Sequence, residues 1–270
     1  MEIITSSSNP KIKAARALHQ RKQREAQKRF LAEGIHLVGA AVEGGAPIEA
    51  IFYAPQLLKS QFALDLVEQS VALGVTCHAT SPEAFKSLAG KENPQGILAV
   101  VYQQEKAIEE LQPGTFPWGV ACVAPQDAGN VGTILRTIDA VGASGLILLD
   151  GGVDPYHPTA VRASMGSIFH HPLVSSTFAD FSQWAASHNY RIFGTSAHGS
   201  LDYRAIQSYQ LPCILLMGDE RQGLSPSQAE ICQAVLRLPM LGRVTSLNLA
   251  VAAGVLLYDM SAKMEKSQSA

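Results

Sequence analysis

The chain is short of the features that mark several protein classes. Only 16% of its 270 residues are charged and the net charge is −2. It therefore lacks the overall positive charge of a non-specific nucleic-acid binder, and any such site has to be local. The four cysteines, Cys77, Cys122, Cys213 and Cys232, form no CxxC pair. Neither a zinc motif nor a disulfide framework is suggested, and a reducing cytoplasm fits. The most apolar stretch, Leu247 to Tyr258, is too short to span a bilayer and carries Asn248, so no membrane association is expected. The opening MEIITSSSNPKIKAAR has no apolar core of the kind a secretory signal needs. No GxGxxG and no GxxxxGK[ST] occurs, so the dinucleotide and nucleoside-triphosphate fingerprints are missing. His198 stands where a GxSxG nucleophile elbow requires glycine, which removes the hydrolase reading. Asp154, His157, His170 and His171 match no metal-ligand spacing, and no metal is expected.

What is present is a core-forming chain, 47% hydrophobic, long enough for two modest domains. The first 34 residues stand apart, with eight basic residues against three acidic. Residues 10 to 31 contain no glycine, and Pro10 sits where a first helical turn tolerates it, so a basic helix is expected there. Two readings of its charge stay open: a solvated face, or a surface that contacts phosphates. Strands are predicted at Ile48 to Tyr53, Val75 to His78 and Gly96 to Tyr102, with a helix near Leu57 to Leu73 and another opened by Ser81-Pro82-Glu83. This is an α/β domain over 1–104. Residues 105–115 are polar, contain Pro-Gly and read as a linker. Over 116–270, strands at Trp118 to Ala124, Leu146 to Asp150, Arg191 to Thr195, Cys213 to Gly218 and Val235 to Leu238 alternate with helical segments. Near-continuous apolar strands of this kind belong in a parallel sheet covered on both faces.

Three segments of the second unit combine glycine turns with polar residues. Gln126 to Thr137 runs from a strand end through a glycine-rich turn into a helix. Val131, Ile134, Leu135 and Ile138 share one face of that helix, Asn130 is placed to cap it, and Arg136 lies off the apolar stripe. Leu215 to Leu224 carries an apolar strand directly into Gly-Asp-Glu-Arg-Gln-Gly, where glycines permit close approach to the backbone. Leu238 to Ala252 is a loop that enters a small-residue helix and holds Ser246 and Asn248. The ordinary alternative for that loop is capping by Thr245 or Ser246.

Taken together, these segments resemble the three signature motifs of the SpoU/TrmH family of RNA ribose 2′-O-methyltransferases, in the SPOUT class. Asn130, Gly132 and Arg136 look like its N-x-G-x-x-x-R motif. Gly218, Glu220 and Gly223 look like G-x-E-x-x-G. Leu238 to Met240, Gly242 and Ser246 to Asn248 look like the closing [IL]-P-M-x-G…S-L-N motif. Ala128 stands where many members have proline, a departure that touches no presumed catalytic position. The first domain resembles the substrate-binding domain that often precedes the catalytic one.

The resemblance implies a trefoil-knotted, parallel-sheet α/β domain that binds S-adenosylmethionine and works as a homodimer with both subunits in the active site. It implies Asn130, Arg136, Glu220, Ser246 and Asn248 as the catalytic group and Gly218, Leu238, Met240 and Leu247 as cofactor-binding. Lys11, Lys13, Arg16, Arg21 and Arg24 are the expected RNA-binding residues. The expected partner is ribosomal RNA; transfer RNA, or a non-catalytic RNA-binding protein on the same scaffold, is the alternative.

Overall fold

A computed structural model describes residues 3–90 and 92–268. Along the chain come α1 (Pro10–Ala17), α2 (Arg21–Gln27), β1 (Arg29–Glu33), α3 (Ile35–Glu43), β2 (Ile48–Tyr53), α4 (Gln61–Ala72), β3 (Thr76–Ala79), α5 (Pro82–Leu88) and β4 (Ile97–Tyr102). There follow β5 (Trp118–Val123), α6 (Ala128–Val141), β6 (Leu146–Leu149), α7 (Pro158–Ala163), β7 (Leu173–Ser176), α8 (Phe178–Ser187), β8 (Arg191–Thr195), β9 (Leu201–Asp202), β10 (Cys213–Met217), α9 (Pro226–Glu230), β11 (Ala234–Arg237) and α10 (Leu249–Gln268). They form two units. One comprises residues 1–103 and 154–170, the other 104–153 and 171–270.

The first unit is built on a four-stranded sheet in the order β1-β4-β2-β3. β4 pairs antiparallel with β1 and β2, and β3 lies parallel to β2. Ile12, Ala15 and Leu18 of the first helical segment pack with Phe85 and Leu88 of α5 and with Phe52, Leu98 and Val100 of the sheet. Ser81 caps α5 as its sequence predicts, accepting from the Ala84 amide at 3.2 Å.

The expected single helix over residues 10 to 31 is not formed. It breaks into α1 and α2, and the chain then extends as β1. Lys28 closes α2 in the left-handed region at φ 52°, and Arg29 to Glu33 pair with Glu33↔Leu98 through Arg29↔Tyr102. Phe30, Leu31 and Ala32 are buried there, so burial against β4 outweighs local helix propensity. Residues 154–170 pack with this unit: Tyr156 and Phe169 lie against Phe30, with ring centroids 4.8 and 6.0 Å away.

In the second unit all seven strands are parallel, in the order β7-β6-β5-β10-β8-β11-β9. The central strands β5, β6 and β10 are buried along their length, the pattern of a sheet covered on both faces. Val131, Ile134, Leu135 and Ile138 of α6 are fully buried, as the apolar stripe requires, and α10 packs along α6. Each such side chain contributes about 1.5–3 kcal/mol on leaving water. The segment expected as a polar linker joins this core. Ile108 and Leu111 are buried with Phe116 and Trp184, and the Trp184 indole donates to the Leu111 carbonyl at 3.0 Å. Alternate polar residues had hidden two anchoring hydrophobes. Among the described residues no helix is long and apolar enough to cross a membrane.

Candidate active site

In parallel α/β sheets ligands bind beyond the carboxyl ends of the strands. Here the loops after β8, β10 and β11 converge on a cavity of about 570 Å³. The loop after β10 is the tightest part. Asp219 and Gly223 exchange backbone hydrogen bonds at 3.0 and 2.9 Å, and Asp219 Oδ1 accepts from the amides of Arg221 and Gln222. Gly223 takes φ +69°. A Cβ at Gly218 would stand 2.4 Å from the Gly223 carbonyl carbon, so the turn closes only over glycine. It holds Glu220 out over the cavity rim.

Three side chains from distant parts of the sequence meet at that rim. Asn130 Nδ2 donates to Glu220 Oε1 at 2.8 Å, and Asn248 Nδ2 donates to Asn130 Oδ1 at 2.9 Å. Glu220 Oε2 accepts from the Gln126 amide at 3.2 Å. The asparagine amide thus bridges two loops, giving its donor to the carboxylate and its acceptor to Asn248. Helix caps fix two members of this chain, Asn130 and Asn248. Asp127, and not Asn130 as the sequence suggests, caps α6: its Oδ1 accepts the Asn130 amide at 2.9 Å. Asn248, and not Thr245 or Ser246, caps α10, its Oδ1 accepting the Ala250 and Val251 amides at 2.9 and 3.3 Å. With Asp127 as cap, Asn130 enters the first helical turn and its side chain is left for the site.

Asn130, Glu220, Ser246 and Asn248 all line the cavity, as do Gly218, Leu238, Met240 and Leu247. Arg136 does not. It is exposed on α6 and lies outside the cavity lining of its own chain. Within one chain Glu220 and Asn248 are both hydrogen-bonded to Asn130. Sequence reasoning missed the loop after β8, where Thr195 to His198 line the same cavity. Only its position after an apolar strand signals it. Beneath the site the Cys122 thiol is pushed up to about 12, chiefly by burial and then by the Glu220 charge, so it is no nucleophile.

The expected RNA-binding residues separate into two groups. Lys11, Lys13 and Arg21 are exposed and Arg16 is half-buried, with Arg21 held to Glu25 at 2.7 Å. Arg24 is a correction. It is 1% exposed, its Nε and Nη2 lie 2.7 and 2.6 Å from Asp154 Oδ2, and Nη1 donates to the carbonyls of Leu18 and His19. It cannot reach a phosphate. Among the described residues no group of three His, Cys, Asp or Glu is arranged to hold a metal. Of the four residues weighed for that role, Asp154 serves Arg24, His157 caps α7, and His171 pairs with Asp139 at 2.7 Å.

Residues 117–258, more than half the chain, match the SpoU rRNA Methylase family. The chain belongs to the SpoU rRNA methylase family. Residues 9–99 match an MRM3-like substrate binding domain. A curated relative, the 23S rRNA (guanosine(2553)-2′-O)-methyltransferase RlmP of Bacillus subtilis (strain 168), is 30% identical over 96% of this chain and 99% of its own. An AdoMet-bound rRNA methyltransferase from Sinorhizobium meliloti superposes with a TM-score of 0.86 at 35% identity, covering 96% of both chains. The SpoU methyltransferase AviRb from Streptomyces viridochromogenes in complex with AdoMet gives 0.83 at 29% identity, covering 97% of this chain and 100% of its own. The second and third motifs are the loops after β10 and β11 that line the cavity, and the first, on α6, adds Asn130 to them.

The cavity fits S-adenosylmethionine on its own chemistry. Leu236, Leu249, Ala252 and Leu256 offer apolar wall, while Asp219, Glu220, Ser246 and Asn248 offer polar and anionic groups. That is the division an adenosine carrying a cationic amino-acid tail needs.

Proposed function

We infer that this SpoU-family chain transfers a methyl group from S-adenosylmethionine to a ribose 2′-hydroxyl of ribosomal RNA. The Glu220–Asn130–Asn248 chain of hydrogen bonds at the cavity rim carries the reading. It ties the two motif loops to the start of α6 in one constellation, as an enzyme that must align a weak nucleophile requires. The bound cofactor supplies a methyl group activated by its sulfonium.

The protein's own residues do the rest. The backbone at Gly218, Leu238, Met240 and Leu247 holds the adenosine. Glu220 and Asn130 fix the loops, and Ser246 and Asn248 orient the ribose. Arg136 clamps the phosphate beside the reacting ribose. A guanidinium stays protonated and has no site to accept the hydroxyl proton, so that proton passes by way of the clamped phosphate to solvent as the methyl moves from sulfur to oxygen.

Arg136 sits outside its own cavity, which favours a homodimer in which each Arg136 completes the partner's site. The loop before α10 and the helix itself carry an exposed apolar face for that contact: Leu241, Val244, Val251, Val255 and Tyr258. Ribosomal RNA is favoured over transfer RNA by the near-full-length match to a 23S rRNA enzyme, substrate-binding unit included. The work belongs in the cytoplasm, where four free thiols stay reduced. The reading follows the family's expected knot, with the cofactor held among the C-terminal loops.

Arg136→Ala tests it. The residue is exposed, so folding and cofactor affinity are expected to persist while methyl transfer to unmodified ribosomal RNA is lost. Retained turnover would remove the role given to Arg136.

A further inference from the structure

A second cavity, of about 310 Å³, opens in the first unit between α1 and the sheet. We propose that it receives a single unstacked nucleotide of the substrate RNA, with the base against His78 and the backbone phosphate at Lys11. The proposal rests on the RNA-methylation reading and names a recognition subsite within it.

The lining is assembled from α1, α2 and all four strands of the sheet and matches the parts of a nucleotide. The floor is apolar: Phe52 is 3% exposed, and the His78 ring lies against it, centroids 5.2 Å apart and tilted by 50°. His78 is half-buried, and burial together with the nearby Lys11 charge lowers its pKa below the usual histidine value. The imidazole is therefore an uncharged flat ring at neutral pH, the kind of surface on which single-stranded bases stack. On one wall Arg29 Nη1 meets Glu49 Oε1 at 2.9 Å, which fixes both a cation and a carboxylate acceptor at the cavity. The Arg29 Nε is buried with no hydrogen-bond partner, so the wall holds a polar group whose bonding is incomplete in the free chain. Gln27 donates its amide to Gln23 at 3.0 Å and keeps its carbonyl oxygen as an acceptor. Lys11 is exposed at the cavity and supplies the point charge that a phosphate takes. The volume suits one nucleotide and excludes a duplex. Sequence-specific RNA recognition usually works through such splayed-out bases.

The experiment uses the full chain and an unmodified 23S rRNA transcript bearing 4-thiouridine. Near-ultraviolet irradiation followed by peptide mapping is expected to place an adduct on the 76–78 segment. His78→Ala is expected to raise the KM for RNA about tenfold, with kcat and S-adenosylmethionine affinity unchanged. His78→Phe, which keeps a stacking surface, is expected to restore the KM. Unchanged kinetics in His78→Ala with adducts elsewhere would overturn the proposal. So would saturable binding of free uridine or guanosine monophosphate at His78 with RNA kinetics untouched, which would make the ligand a free nucleotide. Loss of methyl transfer by the wild-type protein with the His78 adduct retained would sink the methylation reading and support the nucleotide site. Methyl transfer without any His78 effect would do the reverse.

Discussion

Replacing Arg24 by methionine should destabilise the protein far more than a surface-charge change would. The guanidinium is 1% exposed and Asp154 8%. Asp154 Oδ2 receives both guanidinium bonds, and its Oδ1 receives the Tyr156 amide at 2.8 Å. Arg24→Met therefore leaves a buried carboxylate without its guanidinium partner and also strips the Leu18 and His19 carbonyls of the Arg24 donor. Breaking a buried pair on one side costs about 3–5 kcal/mol. In urea, at an m-value of about 2 kcal/mol per molar, the midpoint should fall by roughly 2 M. Arg24→Met combined with Asp154→Asn removes the stranded charge while keeping an acceptor for Tyr156, so it should recover at least half of that loss. Urea unfolding of the full chain, wild type against both variants, measures this. A single variant within about 1 kcal/mol of wild type, or a double variant no better than the single, would refute the assignment of Arg24 to structure and return it to the RNA surface.

Gly218→Ala puts a methyl group against the Gly223 backbone and should cost about 1–3 kcal/mol while weakening S-adenosylmethionine binding at least tenfold; melting with and without cofactor reads both effects. Burial pushes the Cys122 and Cys213 thiols up to about 12 and Cys232 to about 11, and raises Cys77 as well. The native protein at pH 8 should therefore resist iodoacetamide, with four thiols reacting in denaturant; fast native labelling would contradict the packing. Burial also pushes the Tyr190 phenol up to about 12, while its hydroxyl donates to the Phe116 carbonyl at 2.6 Å. A phenol raised above its unfolded value of about 10 stabilises the fold fully below that pH and ceases to do so as pH rises through about 12. Tyr190→Phe should accordingly flatten the alkaline limb of stability against pH.

Much of the second unit was legible because its central strands β5, β6 and β10 are fully buried and so read as unbroken apolar runs. Arg191–Thr195 matches its predicted span, and β5, β6, β10 and β11 fall within a residue of theirs. The short edge strands β7 and β9 were missed, having two to four residues and little apolar signal. In the first unit β1 was hidden by charged neighbours and by a left-handed turn at Lys28, where no glycine marks the helix end. The buried ion pair was out of reach of local reading because Arg24 and Asp154 are 130 residues apart. The site residues were legible only as motifs. Asn130 lies 90 residues from Glu220 and 118 from Asn248, and no periodicity predicts that one asparagine bridges both. Charge alone also gave Arg24 and Lys11 the same weight, although one is locked in the interior and the other lines a cavity.

Methyl transfer to a ribose of ribosomal RNA requires the cavity that the loops after β8, β10 and β11 build beside Asn130. The most direct measurement incubates the purified protein with labelled S-adenosylmethionine and ribosomal RNA lacking the modification, then maps the labelled nucleotide. Label is expected on one ribose 2′-oxygen of the ribosomal RNA, and is absent with Arg136→Ala. Label on a base, or cofactor binding with no labelled RNA of any kind, would contradict it.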